Sequence, residues 1–123
     1  MKKLLLSALL GLALATTTLA QDSTRQFMQI TTIESVVTGG LGRSKMIISS
    51  ADGTQKEQEL ENLFSMTGIN FKNISNNEQQ ILKTLKTYTD QGWKLLQATP
   101  LSLSPGSSSM GIFMTRYLLA KQK

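Results

Sequence analysis

The sequence predicts an α+β domain of two layers, a mainly antiparallel sheet of four to five strands with one main helix packed on one face. Three observations carry this. A capped amphipathic segment stops at a glycine and turns straight into an apolar strand. A stretch rich in β-branched residues at 27–37 lies before it, and a further apolar stretch at 110–120 lies after it. Glycine and Asp-Gly turns, rather than long crossovers, join the early strands.

The helix is read from Ser75 onward. Ser75 and Glu78 have capping-box spacing, in which the hydroxyl accepts from the backbone N–H three residues on and the carboxylate reaches back. Ile81, Leu82, Leu85 and Tyr88 then recur at intervals that place them on one stripe, with Gln79, Lys83, Lys86 and Asp90 opposite. Gly92 stands where a left-handed C-cap belongs, and Trp93 after it is placed to pack back on Tyr88.

Residues 27–37 (FMQITTIESVV) read as a long strand, with Met28, Ile30 and Val36 on one side and Phe27, Ile33 and Val37 on the other. A glycine-rich break at residues 39–42 leads to a second strand over 43–50. Asp52-Gly53 is a hairpin signal, and residues 55–60 follow as an edge strand whose charges discourage edge pairing. Between residues 61 and 74 the pattern predicts one helical turn at Leu60, Leu63 and Phe64, ended by Gly68. Ile69, Phe71 and Ile74 are expected to anchor a loop on the core. After the helix come a strand from Trp93 to Leu101 that Pro100 marks as an end or edge, a polar connection around Pro105-Gly106, and a last strand over residues 110–120.

The first twenty residues predict a signal peptide. Lys2 and Lys3 precede an apolar run at residues 4–15, and small Ala20 precedes polar Gln21 and Asp22, so cleavage is expected after Ala20. The run is shorter than the ~20 residues a bilayer span needs. No cysteine follows it, so no lipoprotein anchor is expected and the product is placed in the bacterial periplasm or outside the cell. Residues 21–123 form one domain. Without Lys2 and Lys3 the formal charge falls from +5 to +3, so part of the basicity belongs to export.

Gly92-Trp93-Lys94-Leu95, the Ser/Gly-rich gap and Ile112-Phe113-Met114-Thr115-Arg116-Tyr117 together resemble a group of small uncharacterised bacterial domains. In that group a helix ends in Gly-Trp-Glu-Leu, and a closing hairpin carries an aromatic residue followed by an arginine or lysine. Lys94 replaces the usual glutamate. The resemblance spans about the C-terminal half and the first strand. It implies a compact β/α domain and supplies no activity.

With no histidine and no cysteine, Ser-His-Asp and Cys-His nucleophiles, thiol chemistry and the usual zinc and copper sites are removed. No cofactor is expected, and the chain reads as a non-enzyme. A carboxylate pair would remain, but Glu78 reads as a cap, Asp90 as a wet-face residue and the glutamates near residue 60 as a solvated edge. Glu34 in mid-strand has no such account. Arg116, the one charge within residues 110–120, either pairs with Glu34 or Glu78 inside the fold or offers its guanidinium fork to a ligand anion. Arg116 and Glu34 are therefore the candidate ligand-binding residues.

Gly40-Leu41-Gly42 lacks the spacing of a phosphate loop and reads as a turn. Lys72, Lys83, Lys86, Lys94, Lys121 and Lys123 could form a basic patch, with Trp93 the sole aromatic nearby, so no nucleic-acid partner is expected. Asn73-Ile74-Ser75 matches a sequon by letters only. The last strand is apolar on both sides, and one helix covers one. Either the loop at residues 61–74 wraps the second side, or a protein partner or second copy does. The expected function is an exported, non-catalytic module that binds protein or self-associates, with small-anion binding at Arg116 as the alternative.

Overall fold

The computed structural model describes residues 24–104 and 111–123. The expected signal peptide and cleavage point, and most of the Pro105-Gly106 connection, lie outside the described residues. The chain folds as β1 (Arg25–Val36), a 3-10 turn (Thr38–Gly40), β2 (Ser44–Ser50) and β3 (Gln55–Leu60). A two-stranded ladder follows, β4 (Phe64–Ser65) with β5 (Gly68–Ile69), then α1 (Phe71–Asp90), β6 (Lys94–Leu103) and β7 (Gly111–Gln122). This is an α+β fold: a five-stranded antiparallel sheet in the order β3-β2-β1-β7-β6, with α1 on one side.

The register explains which side is core. Ile30 of β1 stands between Ile48 and Tyr117, and Met28 stands opposite Leu119. Alternation puts all of these on the helix side. There Met28, Ile30, Met46, Ile48, Leu60 and Leu119 are buried with Ile81 of α1, while Leu85, Tyr88, Trp93 and Tyr117 close the margin. Burying such side chains contributes about 1.5–3 kcal/mol each.

The helix begins four residues before Ser75. Asn70 is its N-cap, its side chain accepting from the Asn73 N–H at 3.2 Å, so the expected Ser75–Glu78 box lies inside the helix. The stripe is also rotated: the buried helix residues are Asn77, Ile81 and Thr84, whereas Leu82 is exposed. Two polar residues on the inner line hide the true face from a hydrophobicity count. At the other end the expectation holds. Trp93 N–H bonds to Tyr88 O at 3.1 Å and Gly92 N–H to Thr89 O at 3.0 Å, the two bonds of a Schellman ending, with Gly92 at φ 90°.

The segment before α1 forms no helical turn. It makes the β4–β5 ladder instead, and Ile69 and Phe71 are exposed rather than anchored. Asn62 holds this segment to the end of β1, its Nδ2 donating to Val37 O and Phe64 O, while Leu63 N–H bonds to Ser35 O. The segment thus sits at the end of β1 beside the start of α1. β6 runs beyond Pro100 to Leu103, and the proline is accommodated because β6 is an edge strand.

Candidate functional site

The side of the sheet turned away from α1 carries both apolar and charged residues. One cross-strand row reads Glu57, Ile47, Thr31, Arg116, Thr99 from β3 to β6; the next reads Glu59, Lys45, Ile33, Met114, Leu101. None of these ten residues is buried, in contrast to the helix side. The apolar content rises toward β6 and β7, where Leu101, Leu103 and Ile112 are 44%, 64% and 37% exposed; Phe27 on β1 is 42% exposed. Every residue of β6 except Thr99 is exposed, so α1 does not reach over this edge.

The two edges differ in charge. β3 carries Lys56, Glu57 and Glu59, and Lys45 Nζ bonds to Glu57 Oε2 at 2.6 Å across the β2–β3 pair. That carboxylate raises the Lys45 pKa above its ordinary value, through the hydrogen bond first and its charge second. From Leu95 to Leu103 β6 carries no charge at all.

The two residues singled out from sequence are not brought together. Arg116 stands opposite Thr31 and Thr99, on the side away from α1, and is exposed. Glu34 lies on the helix side, where its Oε1 accepts from Asn77 Nδ2 at 3.0 Å. Strand parity therefore excludes the expected Arg116–Glu34 pair, and among the described residues no carboxylate forms an ion pair with Arg116. Glu78 is an exposed helix residue on the α1 side. Burial chiefly, and then the charges of Glu78 and Glu34, push the Tyr117 phenol above its ordinary pKa.

Sequence reasoning missed the asparagines. Asn77 is fully buried; its Oδ1 accepts from Glu61 N–H at 2.8 Å and its Nδ2 donates to Glu61 O at 2.8 Å as well as to Glu34. Asn73 Nδ2 donates to Asn62 O and Asn76 Nδ2 to Glu61 Oε2. The spacing 73, 76, 77 is itself helical and was the available signal. These bonds satisfy the backbone that leaves β3 and are structural in character.

The expected basic patch divides. Lys83 and Lys86 are exposed on α1, Lys86 pairing with Asp90 at 2.9 Å, whereas Lys94 and Lys121 join Arg25 around a cavity of about 390 Å³ at one end of the sheet. Among the described residues no group of acidic side chains suited to a metal ion occurs, and no helix is long and apolar enough to cross a membrane.

The fold and surface define an α+β domain with a five-stranded sheet whose second side carries exposed apolar residues. No family model matches this chain, and no curated protein or solved structure is similar to it.

Proposed function

We propose that this chain is an exported, non-catalytic module that binds a protein partner or a second copy of itself through the sheet side away from α1. The observation that supports it is the cluster of exposed Leu101, Leu103 and Ile112 on adjacent strands, continued toward β1 by Met114 and Ile33, neither of them buried. Grouped apolar exposure of this kind is the usual mark of a contact surface. The export assignment rests on the basic, apolar and small-residue pattern of residues 1–20. The proposed kinship with uncharacterised bacterial domains adds no activity. Anion binding at Arg116 has less behind it, since none of the described cavities includes that residue.

Solution mass and crosslinking of the protein in its native envelope fraction test the reading, with Leu101→Asp/Ile112→Asp as the variant. The wild type is expected to form a self-associated species or a crosslinked complex, and the variant to lose it while keeping its thermal melt. A monomer without crosslinked partner, or a complex indifferent to the two aspartates, overturns it.

A further inference from the structure

We propose that the cavity where β1 begins, β7 ends and β6 starts binds an oxyanion of the phosphate class. Arg25, Lys94 and Lys121 line this space of about 390 Å³, and no carboxylate lines it. The described ion pairs, Lys45–Glu57 and Lys86–Asp90, leave all three cations out. Like charges around one concavity repel one another and focus a positive potential into it, and an anion relieves both.

The fold brings the cations together by specific means. Arg25 stands opposite Gln122, and Lys94 opposite Ala120, which in turn faces Phe27. Along β6, Gln97, Thr99 and Leu101 alternate onto the side away from α1. Unbroken alternation would send Lys94 to the helix side. The register shift between Leu95 and Gln97 inserts one extra residue, Leu96, and returns Lys94 to the side of Arg25 and Ala120. Re-aiming a side chain is what a bulge does next to a site.

Lys121 has the opposite parity and comes from around the end of the sheet. A Cβ placed on Gly92 would lie 3.6 Å from Lys121 Cε, so the lysine stem rests against the Schellman turn while both residues line the cavity. That turn and the bulge are separate local features, and they converge on one space.

The lining also selects ligand chemistry. A guanidinium fork engages two oxygens of a tetrahedral anion, and two ammonium groups add charge from other directions. A multiply charged oxyanion uses all three cations, whereas a single carboxylate does not. The Gln122 side chain adds an amide, and Leu96 and Ala120 form an apolar wall for whatever organic portion the phosphate carries. Free phosphate and a phospholipid headgroup share this chemistry. The site is independent of the proposed contact surface, because none of Leu101, Leu103 or Ile112 lines it.

The test is titration of the purified protein with inorganic phosphate, followed by amide chemical shifts, alongside co-sedimentation with phosphatidylglycerol or phosphatidylcholine vesicles at about 0.1 M salt, where screening reaches ~10 Å. Shifts should concentrate at residues 25, 92–96 and 120–122. Arg25→Gln/Lys94→Gln should weaken binding about tenfold or more, whereas Lys72→Gln/Lys83→Gln, which removes equal charge from α1, should change it less than about twofold. Deleting Leu96 keeps every charge but turns Lys94 away, and should match the Arg25/Lys94 double variant. If that deletion fails to fold, the double variant decides alone, since it alters exposed side chains. Binding of phosphate assigns a free anion, and binding of phosphatidylglycerol vesicles alone assigns a lipid headgroup. Binding of neither, or binding weakened equally by the α1 control, overturns the proposal.

Discussion

Asn77 forms a peptide-like pair of hydrogen bonds with the backbone of Glu61: its Oδ1 accepts from Glu61 N–H and its Nδ2 donates to Glu61 O, each at 2.8 Å. The helix side chain takes the place of a neighbouring strand just where β3 ends, and its second donor holds Glu34 Oε1. One buried amide therefore joins α1, β1 and the exit of β3.

Removing that amide leaves backbone groups of Glu61 unpaired in a partly buried place. Asn77→Ala is expected to lower stability by about 1–3 kcal/mol. Asn77→Asp is expected to be worse at neutral pH, because an acceptor would face Glu61 O and the Glu34 carboxylate. Urea unfolding at pH 7 and at pH 4 checks both, with the aspartate variant recovering part of its loss in acid.

Gly92 holds φ 90° at the end of α1, and a Cβ there would meet no heavy atom closer than 3.6 Å. The cost of Gly92→Ala is thus conformational rather than steric, about 1 kcal/mol, and Gly92→Asn should cost less. Calorimetry should show a fall of about 4–8 °C in Tm for alanine.

Gly42 is constrained by space. A Cβ there would overlap Ser35 Oγ and come within 2.7 Å of Asn62 Oδ1 and Ser35 Cβ. Gly42→Ala should cost about 1–3 kcal/mol by overpacking. Combining it with Ser35→Gly should recover part of that loss, and the coupling energy from the four chemical melts measures how much.

The pH dependence has opposite signs at its two ends. Lys45 has a raised pKa from Glu57, so its contribution is complete below the unfolded lysine value and is lost as pH rises through the folded one. Tyr117, raised by burial and by Glu78 and Glu34, likewise loses its contribution in alkali, because the phenolate is disfavoured in the fold. Asp52 accepts from Thr54 Oγ1 at 2.7 Å and Thr54 N–H at 2.9 Å, which lowers its pKa, so its contribution is lost as pH falls. Melts across pH 8–12 should show a shallower alkaline decline in Tyr117→Phe and in Glu57→Gln. Asp52→Asn should flatten the acid limb only.

Local signals made much of the fold legible. Gln55–Leu60 was bounded correctly because Asp52-Gly53 sets a turn and alternating charges mark an edge. The helix end was legible for a similar reason, since only glycine adopts φ 90° at low cost. The helix start was not. The Asn70 cap is local, but Asn73, Asn76 and Asn77, which follow it, are poor helix formers in isolation, and their bonds to Asn62 and Glu61 become available only once the chain is folded. The amphipathic stripe differs for the same cause: Asn77 and Thr84, which no apolar pattern selects, are buried, and Leu82, expected on the inner stripe, is exposed.

By itself, then, the order of residues determined one α+β unit, its strand-rich halves and the glycine that stops the helix, because turns, caps and alternation are decided over a few neighbouring positions. Which residues share a side of the sheet was decided by register across the whole chain. A pairing of Thr31 with Arg116 separates that arginine from Glu34, and one extra residue at Leu96 turns Lys94 toward Arg25. Side chains alternate with a period of two, so a single-residue shift moves a charge through the sheet, and only the assembled strands set that shift.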